Sequence, residues 1–183
     1  MTSRWRAGRW HLFSLPCNPA DPAPELLFPP GTPLDGNLTR YEDGGYVTYQ
    51  SFDPDEFGPL RSGEGYWLHT DASIGVSYVA CCPVEPQELH YPAGGWHLLG
   101  SHRLEAIPFS IISARSSTGQ VLSFEQAWLS GWVGDPLFLY SFADLGYLSV
   151  GVNFSDEEDF LRPRYGYWFS TGMPNLTLII PPP

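Results

Sequence analysis

The sequence has no lysine. Its nine basic residues are all arginine, set against 20 acidic ones, and the formal net charge is −11 over 183 residues. Such a surface repels polyphosphate, which sets aside general nucleic-acid binding. Charge of any kind is scarce at 16%, while aromatics reach 15%, a balance foreign to disordered chains. Cysteine is scarce too: Cys17, Cys81 and Cys82 cannot all pair, and no CxxC or Cys/His spacing suits zinc. One bridge from Cys17 to the Cys81/Cys82 pair and a set of buried thiols both remain open. No apolar run approaches a membrane span, and none of signal-peptide length follows Met1–Trp10 before Pro16.

The familiar motifs of catalysis are missing as well. There is no GxSxG elbow, no P-loop and no dinucleotide fingerprint, and His69, His90 and His102 have no HxH or HExxH context. The expectation is a protein that is not an enzyme and needs no metal or cofactor. Long helices are not expected either, because Gly and Pro number 19 each and interrupt almost every stretch.

What the chain does have is a duplication. Gly8-Arg9-Trp10-His11-Leu12-Phe13 matches Gly94-Gly95-Trp96-His97-Leu98-Leu99. Leu60-Arg61 with Gly65-Tyr66-Trp67 matches Leu161-Arg162 with Gly166-Tyr167-Trp168. Each GYW precedes a β-like close, Ile74 to Val79 and Leu176 to Ile180. Between the motifs lie aromatic hairpin patterns: Leu38 to Tyr49 around Asp43-Gly44-Gly45, and Leu137 to Val150. Trp10 to Trp67 spans 57 positions and Trp96 to Trp168 spans 72, so the second copy carries an insertion. Ser123-Phe124-Glu125-Gln126 inside it reads as a capping box, which predicts one short helix ending at Gly131.

The fold class expected is mainly β: two divergent copies of a small sandwich- or barrel-like module, 1–86 and 87–183, with one short helix inserted in the second. Trp10, Trp67, Trp96, Trp168, Tyr66 and Tyr167 are expected in the repeated core. Trp5, Trp128 and Trp132 fall outside the matched motifs and are the candidate interaction residues, since exposed aromatics anchor interfaces or stack on sugars. His11 and His97 stand at equivalent strand positions, which favours hydrogen bonding to the backbone over catalysis. The acidic runs Asp53-Asp55-Glu56 and Asp156-Glu157-Glu158-Asp159 lack the alternation of a calcium loop and read as solvated. The sequons at Asn37, Asn153 and Asn175 read as turn chemistry.

These motifs resemble a tandem repeat of secreted and surface proteins from environmental bacteria. The opening Trp10-His11-Leu12-Phe13-Ser14-Leu15-Pro16 with Pro19-Ala20-Asp21-Pro22 is similar to its GW(N/H)L start, and the GYW motifs to its close. Gly131-Trp132-Val133-Gly134-Asp135-Pro136 also resembles it. The resemblance implies an extracellular accessory or interaction module and no reaction. The function expected is that of a structural or adhesive subunit of a surface, filament or virion-type assembly, outside the cell or on its surface. Its partners would be copies of itself or a surface-assembly protein, with a glycan as a further candidate and no nucleic acid or membrane span. A carbohydrate-binding module is the first alternative and a glycoside hydrolase the second. The C-terminal Leu176–Ile180 is expected to close the second module at a sheet edge, with Pro181-Pro182-Pro183 ending the ladder.

Overall fold

The computed structural model describes residues 2–141, 145–152 and 159–182. The fold is mainly β, built from short antiparallel strands. The first half contains β1 (Thr2–Trp5), β2 (Arg9–Ser14), β3 (Asn18–Pro19), α1 (Pro24–Leu27), β4 (Leu38–Glu42), β5 (Gly45–Thr48), α2 (Pro54–Phe57), β6 (Gly65–Thr70), β7 (Ile74–Ser77) and β8 (Ala80–Cys81). The second contains β9 (Gln87–Tyr91), β10 (Gly95–Gly100), β11 (Ile107–Pro108), β12 (Ser113–Arg115), β13 (Val121–Ser123), α3 (Phe124–Leu129), β14 (Leu137–Ser141), β15 (Gly146–Val150), β16 (Phe160–Leu161), β17 (Gly166–Thr171) and β18 (Leu176–Ile180).

Two four-stranded sheets have the same order, β2-β6-β4-β5 and β10-β17-β14-β15. Their registers match residue for residue. Leu12 faces Trp67 as Leu98 faces Trp168, and Phe13 faces Tyr66 as Leu99 faces Tyr167. Tyr41 faces Tyr46 as Tyr140 faces Tyr147. The first hairpin turns through Asp43 and Gly44, both at positive φ, which matches the twist of the strands it joins. Each sheet also has a companion built from the strands flanking it: β1 pairs β7 in the first half, and β9 pairs β18 in the second.

Alternation sorts each strand into two faces. The inner face of the first sheet gives Phe13, Leu38, Tyr66 and Leu68 to one core, and the second sheet gives Leu99, Leu137, Tyr167 and Phe169 to another. Tyr66 and Tyr167 are fully buried, as their motif position predicts, and each hydroxyl accepts from a backbone N–H five residues upstream: Arg61 at 2.8 Å and Arg162 at 2.7 Å. Burial raises both hydroxyl pKa values, so both stay protonated. That of Tyr66 donates onward to Glu64 at 2.7 Å.

The capping box forms as the sequence predicts: the Ser123 hydroxyl accepts from the Gln126 N–H, and the Gln126 side chain accepts from the Ser123 N–H. The insertion holds more than this helix. β12 and β13 extend the second companion sheet to the order β13-β12-β18-β9. Leu176–Ile180 therefore lies between two strands and not at an edge, so its ladder is already satisfied on both sides. Two further helical turns, α1 and α2, each start on a proline, which has no N–H to leave unpaired there. Cys17 is bonded to Cys82, and Cys81 is an exposed thiol.

Candidate functional site

The outer faces of the two sheets turn toward each other across a pseudo-twofold axis. The Ser14 N–H donates to the Arg164 carbonyl at 3.1 Å, and the equivalent Gly100 N–H donates to the Gly63 carbonyl at 2.8 Å. The glycine of each GYW motif makes this approach possible. A Cβ on Gly65 would lie 3.0 Å from Leu98 Cβ and 3.1 Å from the Leu99 carbonyl; one on Gly166 would lie 2.9 Å from the Phe13 carbonyl. Leu12, Leu98 and Trp67 close this junction, with Tyr41, Tyr140 and Trp168 packed around them.

From the junction, two ladders of rings run outward, related by the same axis. Trp10 meets Trp67 with ring centroids 6.4 Å apart, Trp67 meets Tyr140 at 5.4 Å, and Tyr140 meets Tyr147 at 5.5 Å. In the other ladder, Trp96 meets Trp168 at 6.4 Å, Trp168 meets Tyr41 at 4.9 Å, and Tyr41 meets Tyr46 at 5.2 Å. The chain crosses between halves in each ladder, since Trp67 and Tyr140 belong to different copies, as do Trp168 and Tyr41. All six pairs meet edge to face, the geometry that aligns a positive ring edge with a negative ring face.

Two grooves lie on this aromatic surface. One, of about 500 Å³, is lined by Trp10, Trp67, Tyr140, Tyr46, Thr39 and Thr48, with Gly36. The other, of about 590 Å³, is lined by Trp96, Trp168, Tyr41, Tyr46, Phe138 and Tyr147. They adjoin at Tyr46, and among the described residues no charged side chain lines either. Burial raises the pKa of the Tyr46 hydroxyl, with the neighbouring Tyr147 and Tyr41 adding to it. The two copies differ at the floor: the cross-strand pair Thr39 and Thr48 in the first groove corresponds to Phe138 and Ser149 in the second sheet.

This arrangement corrects several expectations. Trp10 and Trp96 are not core residues; they are 42% and 47% exposed, because period-two alternation puts them on the face opposite Phe13 and Leu99. Trp67 is buried and Trp168 half-buried, but in the junction between copies and not in separate cores. Trp5 is buried in the first core against Phe13 and Phe28. It is not outside the repeat: Trp5 faces Ile74 as Tyr91 faces Leu176. Trp128, on the inserted helix, and Trp132, just after it, are partly buried against the second core. The ring residues missing from the sequence reading were Tyr41, Tyr46, Phe138, Tyr140 and Tyr147. Their signal was present in the hairpin alternation, which puts them on the same face as the tryptophans.

The two repeat-equivalent histidines are both hydrogen-bonded. His11 Nε2 lies 2.9 Å from the Arg6 carbonyl, and His97 Nε2 lies 3.0 Å from Thr171 Oγ1. Burial lowers the pKa of both. Among the described residues, no group of three or more His, Cys, Asp or Glu side chains could hold a metal ion. Asp53 flanks α2, with Asp55 and Glu56 in its first turn. Asp156, Glu157 and Glu158 lie outside the described residues. A polar cleft beside the junction shares Tyr41 and Trp96 with the second groove and is lined by carboxylates, of which Glu42 is paired to Arg40 at 2.8 Å, Glu64 to Arg61 at 3.4 Å and Glu88 to Arg115. No helix among the described residues is long and apolar enough to cross a membrane.

Compared with known protein families, with curated proteins and with solved structures, the chain matches none of them.

Proposed function

We propose that the chain is a non-catalytic interaction module of the extracellular or cell-surface space, which holds its partner on the aromatic surface between its two copies. The observation that carries this reading is the pair of ring ladders. Half-exposed tryptophans at the outer end of both ladders keep apolar ring area in water, a state that burial against a partner relieves. The ladders recur in both copies although the surrounding sequence has diverged.

Three further facts support it. The Cys17–Cys82 bond suits an oxidising compartment. Three of the four carboxylates of the polar cleft, Glu42, Glu64 and Glu88, are engaged by arginines, which favours the aromatic surface as the binding feature. The similarity of the GW and GYW motifs to repeats of surface proteins points the same way. Within a larger surface, filament or virion-type assembly, such a module would act as an accessory or linking subunit.

The test is retention on a panel of immobilised matrices: neutral polysaccharides, a proline-rich peptide, and the protein itself. A Trp10→Ala/Trp96→Ala double variant with an unchanged circular dichroism spectrum is run in parallel. Retention of the wild type on at least one matrix, lost in the variant, is expected. Failure of every matrix to retain the wild type, or equal retention of the variant, overturns the reading.

A further inference from the structure

We infer that the occupant of the two grooves is a neutral polysaccharide chain, stacked by its apolar sugar faces on the ring ladders, with the Thr39–Thr48 groove supplying the selective hydrogen bonds. This inference rests on the docking surface proposed above and names the chemistry that fits it.

Charge comes first. Among the described residues no charged side chain lines either groove, so an ionic ligand would lose its hydration there without gaining a counter-ion. The net charge of −11 adds repulsion for any polyanion, including an anionic glycan. The same charge opposes pairing of this face with a second copy of the chain.

Hydrogen bonding separates a glycan from a peptide. An extended peptide laid in these grooves would bury backbone carbonyls that need donors. Of the four groove indoles, only Trp10 and Trp96, at the outer ends of the ladders, present an exposed ring to such a chain. Trp168 Nε1 already donates to the Tyr147 hydroxyl at 3.3 Å, and Trp67 Nε1 is buried beneath the groove surface. A pyranose makes a smaller demand. Its C–H face lies against an aromatic ring while its equatorial hydroxyls stay in water at the rim or reach the hydroxyls of Tyr46 and, at the floor, Thr39 and Thr48.

The shape agrees with this. Both grooves are open surfaces floored by half-exposed rings, which leave one side of a bound chain in water. They adjoin at Tyr46, so a single polymer can occupy both, and joining the two binding events raises the apparent affinity. The two copies have also divided the work. Phe138 makes the second groove a stacking surface, while Thr39 at the same register position makes the first one polar.

The experiment is affinity electrophoresis of the full chain through gels containing neutral polysaccharides of different linkage (hydroxyethylcellulose, laminarin, glucomannan and arabinoxylan). Isothermal titration with oligosaccharides of increasing length follows on the one that retards it. Retardation by at least one neutral polymer is expected, with affinity rising with chain length. Trp96→Ala and Trp10→Ala should each weaken it on the order of tenfold. Thr39→Val, which keeps shape but removes the hydroxyl, should change the order of preference among the polymers while Trp96→Ala lowers all of them together. Carboxymethylcellulose should retard the chain less than its neutral counterpart. Retardation by no neutral polymer overturns the inference, as does retardation indifferent to both tryptophan substitutions. If the proline-rich peptide or the immobilised protein alone retains the chain, in a Trp10- and Trp96-dependent manner, the docking surface stands and the glycan assignment falls.

Discussion

At the scale of single residues, the least replaceable positions are those where the two copies touch. Gly100 lies against Ser14, and a Cβ there would overlap the Ser14 side chain and sit 2.5 Å from the Glu64 carbonyl. Gly100→Ala should therefore cost more than Gly65→Ala, with both destabilising by about 1–3 kcal/mol or more as overpacking requires. Urea unfolding curves of the two variants would rank them. His102 is a second such residue. It is almost fully buried, both ring nitrogens have no hydrogen-bond partner, and burial, with the charge of Arg103 assisting, pushes its pKa down to about 4. The unfolded chain takes up that proton near pH 6.5, so stability is greatest above this value and falls as the pH drops toward about 4. The loss attributable to His102 is at most roughly 3 kcal/mol. His11 and His97 are lowered in the same direction and add to the slope. A midpoint of unfolding independent of pH across this window would refute the buried neutral state.

At the scale of elements, the sequence was most informative where a motif carries its own geometry. The capping box at Ser123 and Gln126 is local: two side chains satisfy two end N–H groups within one turn, whatever surrounds them. Ser123→Ala should remove about 1 kcal/mol of stability, seen as a lower melting temperature, with the β sheets retained. The Asp43-Gly44 hairpin is local in the same sense. Asn37 and Asn175 also behave as turn residues, the first donating to the carbonyls of Pro33 and Asp35 and the second adopting positive φ. The strand Leu176–Ile180 shows where local reading stops. Its composition fixes it as a strand, but its place between β9 and β12 depends on where the insertion folds back. Ser113–Arg115 is too short and too mixed to announce itself as the neighbour.

At the scale of the whole molecule, the junction between copies is a core made of outer faces. Trp67 and Trp10 test this. Trp67 is 7% exposed and packs against the other copy through Tyr140, so Trp67→Ala should destabilise the protein by about 3–5 kcal/mol. Trp10→Ala should cost far less, because nearly half of its surface is already in water. Thermal unfolding of both variants would show the difference, and equal shifts would contradict the assignment of Trp10 to a binding surface. The contrast also matters for function, since only a residue that the fold does not need can be given over to a partner.

Chemistry that acts within a few residues was legible in the sequence alone. It covers the β class, the helix cap, the first hairpin turn, the buried GYW tyrosines and the two matched sheets, because turn propensity, capping and period-two alternation need no distant partner; the turn between β14 and β15 lies outside the described residues. Alternation also divided the aromatics into two faces, but it could not say which face each core would claim. That was decided by the companion sheets, β1–β7 and β9–β18, which cover the side bearing Tyr66 and Tyr167. The choice of Cys82 over Cys81 was likewise tertiary, since adjacent residues on an extended chain point to opposite sides and only one can meet Cys17. The grooves belong wholly to this level. They exist because two sheets meet about an axis between residues some 70 to 130 positions apart, such as Trp67 with Tyr140 and Tyr41 with Trp168, and no local pattern encodes that meeting.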